Sequence, residues 1–168
     1  MERKKLRVGI SCYPTFGGSG VIATEIGIEL ARCGHQVHFI CLDVPRRLRE
    51  FTDNIFFHEV GVLDYPLFTH PPYDISLASK MVEIATYQRL DLIHVHYAVP
   101  HATSALLAAQ VLGQDAPPVV TTLHGTDITL VGNDPAYLPI TRYSIYQSSG
   151  VTAPSQYLKE ATYEELHL

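Results

Sequence analysis

Short, continuously apolar segments alternate with amphipathic segments along the whole sequence. The apolar segments have strand length and fall at residues 6–11, 36–42, 55–60, 92–96, 119–123 and 151–153. Helical spacing of apolar residues follows at residues 21–33, 74–88, 100–112 and 138–147, and again after Ser155. Because strands that are apolar throughout are buried on both faces, this alternation predicts a doubly wound α/β domain with a parallel, Rossmann-like sheet.

Local signals mark the ends of several predicted helices. Gly34 is expected to end the first helix, and Asp74 is expected to cap the second. Pro100 lies in the first turn of the third predicted helix, and Ser155 is expected to cap the last one.

Composition and charge exclude several classes of protein. A chain of 168 residues suits one domain, which matches the even alternation of strands and helices. A net charge of −5, with the basic residues collected at the N-terminus and at Arg46, Arg47 and Arg49, argues against a nucleic-acid partner, and we expect the arginine cluster to be a solvated loop. No apolar run reaches the ~20 residues of a membrane span. Three cysteines without a C-x-x-C pair suit buried, reduced thiols, so we expect a cytoplasmic protein.

Unusual polar residues follow four of the predicted strands. The first strand precedes a glycine cluster at residues 17–20, the fourth precedes Tyr97, the fifth precedes an H-G-T-D segment at residues 124–127, and the sixth precedes Ser155. Ligands of open α/β sheets bind outside the carboxyl ends of the strands. These segments are therefore expected to converge on one ligand-binding edge.

The glycine cluster is typical of an anion site, because it exposes backbone N–H groups at the start of a helix. A competing interpretation is a dinucleotide fingerprint, since Gly18, Gly20 and Ala23 match G-x-G-x-x-G/A and Asp43 stands near the end of the second strand. Against it, residues 13–16 separate the strand from the glycines, whereas a dinucleotide fingerprint begins where the strand ends.

Histidine and arginine are the remaining candidates for chemistry. His94, His96, His101 and His124 lie on or near two predicted strands, but no carboxylate or thiol at a suitable spacing completes a metal site. We therefore expect no metal. Arg142 follows the H-G-T-D loop on a short predicted helix, where it is either a solvated charge or a clamp for a carboxylate or phosphate.

Three segments carry a resemblance to a known family. They are residues 12–20 (CYPTFGGSG), 94–101 (HVHYAVPH) and 121–129 (TTLHGTDIT), and shorter agreements at 57–60, 71–74 and 77–81 extend it over almost the whole chain. Together they resemble the family 4 retaining glycosyltransferases of GT-B fold. The second segment narrows the resemblance to members that act on L-malate in bacillithiol biosynthesis.

The resemblance implies an activity and a set of site residues. The reaction would transfer N-acetylglucosamine from UDP-N-acetylglucosamine to the hydroxyl of L-malate, with retention of configuration and without a metal or cofactor. Gly17 and Gly18 would contact the donor diphosphate, and His124 would lie beside the donor sugar. The malate site would be lined by Ser19, Tyr97, Thr121 and Arg142.

The resemblance also implies that residues 1–168 form the N-terminal, acceptor-binding half of a two-domain enzyme. A C-terminal nucleotide-sugar-binding domain, absent from this sequence, would be its partner, and self-association stays open. Two departures from the family pattern, Ser149-Gly150 and Pro154, are expected to affect packing rather than chemistry. The alternatives are a nicotinamide-dependent oxidoreductase domain, a stand-alone ligand-binding module, and a related transferase with another acceptor.

Overall fold

Six parallel strands form the centre of the molecule. The computed structural model describes residues 4–49 and 53–167. The strands are β1 Arg7–Ser11, β2 Gln36–Cys41, β3 Ile55–Glu59, β4 Leu92–His96, β5 Val119–Thr122 and β6 Gly150–Thr152. Their order is β3-β2-β1-β4-β5-β6, and every neighbouring pair is parallel. The predicted doubly wound sheet is confirmed, with its topological switch point between β1 and β4.

Helices cover both faces of this sheet. They are α1 Gly18–Arg32, α2 Tyr73–Gln88, α3 Thr103–Leu112, α4 Thr126–Thr129, α5 Leu138–Gln147 and α6 Gln156–Glu165. A π-helical turn, Ala98–Ala102, joins β4 to α3, and a 3₁₀ turn, Gly113–Asp115, follows α3. None of the described helices is both long and apolar enough to cross a membrane.

Two apolar layers hold the helices against the sheet. On one face, α1 packs on Ile10 and Phe39. This contact depends on Gly27, because a Cβ there would lie 2.4 Å from Cζ of Phe39. On the other face, α2 and α3 pack on the fully buried Ile93 and Val95 of β4. The ends of β1, β4 and β5 are thereby held on a rigid, close-packed platform.

The predicted helix ends are partly right. Ser155 caps α6 as predicted, since its Oγ accepts from the Leu158 N–H at 3.1 Å. Gly34, with φ of +87°, follows the end of α1. Asp74 is not the N-cap of α2, because the helix begins at Tyr73; its carboxylate lies in the first turn, where the helix dipole still favours it.

Other predictions need correction. The helix predicted from Pro100 to Leu112 is present, but its first residues belong to the π-helical turn Ala98–Ala102, which leads into α3. The four-residue α4 was not predicted. Cys12 and Cys41 are buried thiols as expected, whereas Cys33 is exposed because it follows the last turn of α1 on the solvent side.

Candidate active site

A cleft of about 410 Å³ lies at the carboxyl ends of the strands, beside the switch point. It is lined by Tyr13, Thr15, Gly17, Gly18, Ser19, Ile22, Tyr97, His124, Thr126 and Pro154. These residues come from four chain segments that are far apart in sequence. The parallel sheet brings the segments together, as predicted for the ligand-binding edge. Ser155, which was also expected there, does not line the cleft and caps the last helix instead.

The floor of the cleft is the bare N-terminus of α1. Gly17 is the N-cap and no side chain caps the helix. In the first turn, the N–H of Gly20 donates to the carbonyl of Gly17 at 3.0 Å. The N–H groups of Gly18 and Ser19 have no acceptor among the described residues. Free N–H groups and the positive end of the helix dipole are the features with which helix N-termini bind anions.

Two glycines of this loop have different roles. A Cβ at Gly20 would lie 2.6 Å from the carbonyl oxygens of Tyr13 and Thr15, so only glycine lets the loop pass over the helix. A Cβ at Gly18 would have no protein atom within 4 Å. The packing of the loop therefore does not require glycine at position 18, and the open space there leaves room for a ligand.

Tyr97 forms one wall of the cleft in an uncommon backbone conformation. Its φ is +91°, in a region that residues other than glycine rarely occupy. The side chain is held by an OH···Oγ1 hydrogen bond of 2.6 Å to Thr126 and by an edge contact with Tyr13 at 5.4 Å. Backbone strain of this kind is concentrated at functional sites, where surrounding contacts maintain it.

His124 lies beside Tyr97 in the same wall, with the two rings stacked at 5.5 Å. On its far side, Nε2 lies 2.9 Å from Nδ1 of the fully buried His96. Burial, with a smaller contribution from the nearby His94, lowers the pKa of His124 to about 4. His124 is therefore a neutral imidazole at pH 7, suited to hydrogen bonding rather than to holding a positive charge.

Asp127 builds the loop that carries His124. Its buried carboxylate accepts from the N–H groups of His124 and Gly125, both at 2.9 Å, and from that of Ala98 at 3.3 Å. These bonds connect the end of β5 to the turn that follows β4. Burial raises the pKa of Asp127, and the three N–H donors oppose that rise. Asp127 is thus a structural residue that aligns two walls of the cleft.

The structure brings five of the predicted site residues into the cleft and leaves two outside it. The five are Gly17, Gly18, Ser19, Tyr97 and His124. Thr121 is fully buried in β5, where its hydroxyl lies 2.8 Å from Ser148 Oγ. Arg142 is partly buried on α5, and its Nε donates to the carbonyl of Leu166. Neither residue lines the cleft in this structure.

Five lining residues, Ile22 among them, were not predicted as site residues. Tyr13, Thr15 and Thr126 stand inside the motifs that carried the family resemblance, so the signal for them was present in the sequence. Pro154 was expected to affect packing alone, yet it closes one side of the cleft.

Other clusters do not rival this cleft. A groove of about 450 Å³ contains Arg32, Arg47 and Arg49, but Arg32 and Arg47 are paired with glutamates in exposed salt bridges. The prediction of a solvated arginine loop is consistent with these pairs. Within the part of the chain that the structure describes, no three His, Cys, Asp or Glu side chains gather in a way that would hold a metal ion.

The fold and the cleft define a class of protein. A six-stranded doubly wound sheet, with a bare helix N-terminus and a histidine lining one cleft beside its switch point, is the arrangement expected for the N-terminal half of a GT-B glycosyltransferase. The chain belongs to Glycosyltransferase Family 4, whose family model matches residues 16–167. This membership decides against the dinucleotide interpretation of Gly18, Gly20 and Ala23. The position of Asp43 also argues against the dinucleotide interpretation, because its carboxylate accepts from the N–H of Val44 and does not line the cleft.

One curated relative is similar over nearly the whole chain. The N-acetyl-alpha-D-glucosaminyl L-malate synthase of Bacillus anthracis is 52% identical over 160 residues, which is 95% of this chain and 42% of the relative. The chain therefore spans less than half of the length of that enzyme.

Solved structures support the fold. A glycosyltransferase from Rickettsia africae superposes with a TM-score of 0.66 at 21% identity, covering 99% of this chain and 41% of the other. The sucrose-phosphate synthase of Thermosynechococcus elongatus superposes with a TM-score of 0.64 at 17% identity, covering 95% and 45%. In both cases the chain corresponds to one half of a larger enzyme.

Proposed function

We propose that this chain is the N-terminal domain of a retaining glycosyltransferase that transfers N-acetylglucosamine from UDP-N-acetylglucosamine to the hydroxyl of L-malate. The observation that carries the proposal is that the free Gly18 and Ser19 N–H groups and the neutral His124 line one cleft. The 52% identity to the N-acetyl-alpha-D-glucosaminyl L-malate synthase of Bacillus anthracis supports the choice of substrates. We also propose a cytoplasmic location.

The donor side of the proposal uses the glycine loop. A diphosphate carries negative charge, and the bare N-terminus of α1 offers N–H donors and a favourable dipole at Gly17 and Gly18. His124 stands across the cleft, where it would contact the sugar. A C-terminal domain, bound to the rest of the nucleotide, would close the cleft from the other side. No metal is needed in this arrangement.

The acceptor side uses hydroxyl groups and one arginine. Ser19 and Tyr97 face the cleft and supply O–H groups that can bind a carboxylate. A dicarboxylate in a partly closed site also needs a fixed positive charge, and Arg142 stands on α5, which packs against the turn after Tyr97. Thr121 would act through β5, at the base of the malate site.

The test of this function is acceptor screening of the full-length protein. We expect UDP-N-acetylglucosamine to give an α-linked product with L-malate, detected by mass spectrometry and NMR, and little product with D-malate or succinate. The 168-residue chain alone should show no turnover, because the donor site is divided between two domains. Preferred transfer to another acceptor would overturn the malate assignment, and turnover by the isolated chain would overturn the divided site.

Arg142 gives a separate test of the acceptor site. We expect Arg142→Ala to raise the KM for malate by about 10- to 100-fold, because a charge-assisted contact contributes ~1.5–3 kcal/mol. Arg142→Lys should retain part of the affinity, since it keeps the charge and loses the two-point fork. The KM for UDP-N-acetylglucosamine serves as the control. An unchanged malate KM in the Ala variant would show that Arg142 only anchors the carbonyl of Leu166.

A further inference from the structure

His96 is a buried histidine whose hydrogen-bonding partner is the cleft residue His124. It is fully buried at the end of β4, its ring stacks on that of His124 at 5.1 Å, and the 2.9 Å contact joins His96 Nδ1 to His124 Nε2. The other nitrogen of His96, Nε2, is buried without a hydrogen-bond partner. His124 Nδ1 has no partner among the described residues, which leaves it available to a ligand.

These contacts determine where the protons of a neutral pair lie. In one arrangement His96 Nδ1–H donates to His124 Nε2, and His124 carries its own proton on Nδ1. In the other, His124 Nε2–H donates to His96, which must then carry an N–H on Nε2 with no acceptor in a buried site. An orphaned buried N–H is rarer in proteins than an orphaned acceptor, so the first arrangement is favoured.

We propose that His96 is a positioning residue that holds His124 as the Nδ1–H tautomer, so that His124 offers a neutral N–H donor to the cleft. This proposal rests on the proposed function. In that reaction the Nδ1–H group of His124 would donate to an oxygen of the transferred sugar. The direction of this N–H group would be set by the sheet, through His96, and not by the loop alone.

Burial of the pair supports a neutral donor. It lowers the pKa of His96 to about 2, with smaller contributions from His94, His124 and His101, while that of His124 falls to about 4. A neutral imidazole N–H suits a hydroxyl or carbonyl oxygen of a sugar. A cationic His124 would instead favour a phosphate or carboxylate.

The chain contains a matched control for His96. On β2, His38 is also buried, its Nδ1 lies 2.9 Å from Nε2 of His58, and its Nε2 also lacks a partner. This second histidine pair lies two strands away from β4 and outside the cleft. His38→Leu therefore removes a similar buried contact without touching His124.

The first measurement is the tautomer of His124, by ¹⁵N–¹H correlation of histidine ring nitrogens at pH 7 in the 168-residue chain. We expect the Nδ1–H form in the parent and in His38→Leu, and loss of that single form in His96→Leu. His96→Asn should keep it, because the amide nitrogen of Asn is bonded to Cγ as Nδ1 is and can donate to His124. The Nε2–H form or a cation at His124 in the parent would overturn the proposal.

The second measurement is turnover of the full-length protein. We expect His96→Leu to lower kcat by about 10- to 100-fold, as misplacement of a contact group does, and His96→Asn to recover most of the loss. Equal losses in His96→Leu and His38→Leu would mean a purely structural effect and would overturn the positioning role. The tautomer needs no substrate, so a failure of the proposed transferase activity would be distinguishable from a failure of this proposal.

Discussion

The two fully buried histidines, His96 and His101, are expected to lower the free energy of unfolding of this chain by about 4 kcal/mol when the pH falls from 7 to 5. The cause is the set of histidines buried in a neutral form. Burial lowers the pKa of His96 to about 2 and that of His101 to about 3, and both side chains are fully buried. Neither ring has hydrogen-bond acceptors at both nitrogens, as a buried cation would need, since His101 has no partner at either nitrogen and His96 has none at Nε2.

The direction follows from proton linkage. An unfolded histidine has a pKa near 6.5, so below that pH the unfolded state binds protons that the folded state excludes. The contribution of these histidines to stability is therefore fully present above about pH 6.5, and it is lost as the pH drops towards their pKa values in the folded state. At pH 5 each such histidine removes roughly 2 kcal/mol, and two remove about 4 kcal/mol from a typical total of ~5–15 kcal/mol. Asp127 acts in the opposite direction, because burial raises its pKa.

The measurement is urea unfolding at pH 7, 6 and 5, with circular dichroism as the signal that reports unfolding. His101→Phe is the informative variant, because it removes one buried titrating ring and keeps an aromatic side chain. The difference in unfolding free energy between pH 7 and pH 5 should shrink by roughly 2 kcal/mol in this variant. Equal stability of the parent chain at pH 7 and pH 5 would show that the buried histidines accept protons without cost.

Much of the fold could be predicted from the sequence because each strand is a continuous apolar run between turn signals. Strand β4 matched its prediction in full, and the other strands differ by one residue at one or both ends. Helix α4 was missed because four residues show no period, and it begins after Gly125 at φ of +110°. The cap of α2 was misplaced because Tyr73 and Asp74 are both acceptable at a helix start.

The candidate site was only partly predictable. The positions of Gly18, Tyr97 and His124 at the ends of strands follow from the topology of a parallel sheet. The contacts between His96 and His124, and between Tyr97 and Thr126, join residues about thirty positions apart, and they depend on the register of β4 against β5. Register is a property of the folded sheet that the spacing of residues within one strand does not contain.

The last expectation concerns His124, the residue that faces the glycine loop across the cleft. We expect His124→Ala in the full-length protein to lower kcat by about 100-fold and to change the KM for malate by less than about 3-fold. Removing one preorganised donor from a transition-state contact typically costs ~2.7–4 kcal/mol. The malate KM should change little, because the proposed partner of His124 is the donor sugar.

Two variants separate this effect from damage to the fold. His124→Ala leaves Nδ1 of His96 buried without a partner, which costs about 1–3 kcal/mol of stability, so unfolding is measured alongside turnover. His124→Asn keeps a donor at the Nδ1 position and loses the contact to His96, so its kcat should fall between those of the parent and the Ala variant. Tyr97→Phe should show the opposite pattern, with a raised malate KM and a smaller loss of kcat, because it removes only a hydroxyl from the proposed acceptor side. If His124→Ala instead raises the malate KM and leaves kcat unchanged, His124 belongs to the acceptor site, and the donor sugar must lie elsewhere in the cleft.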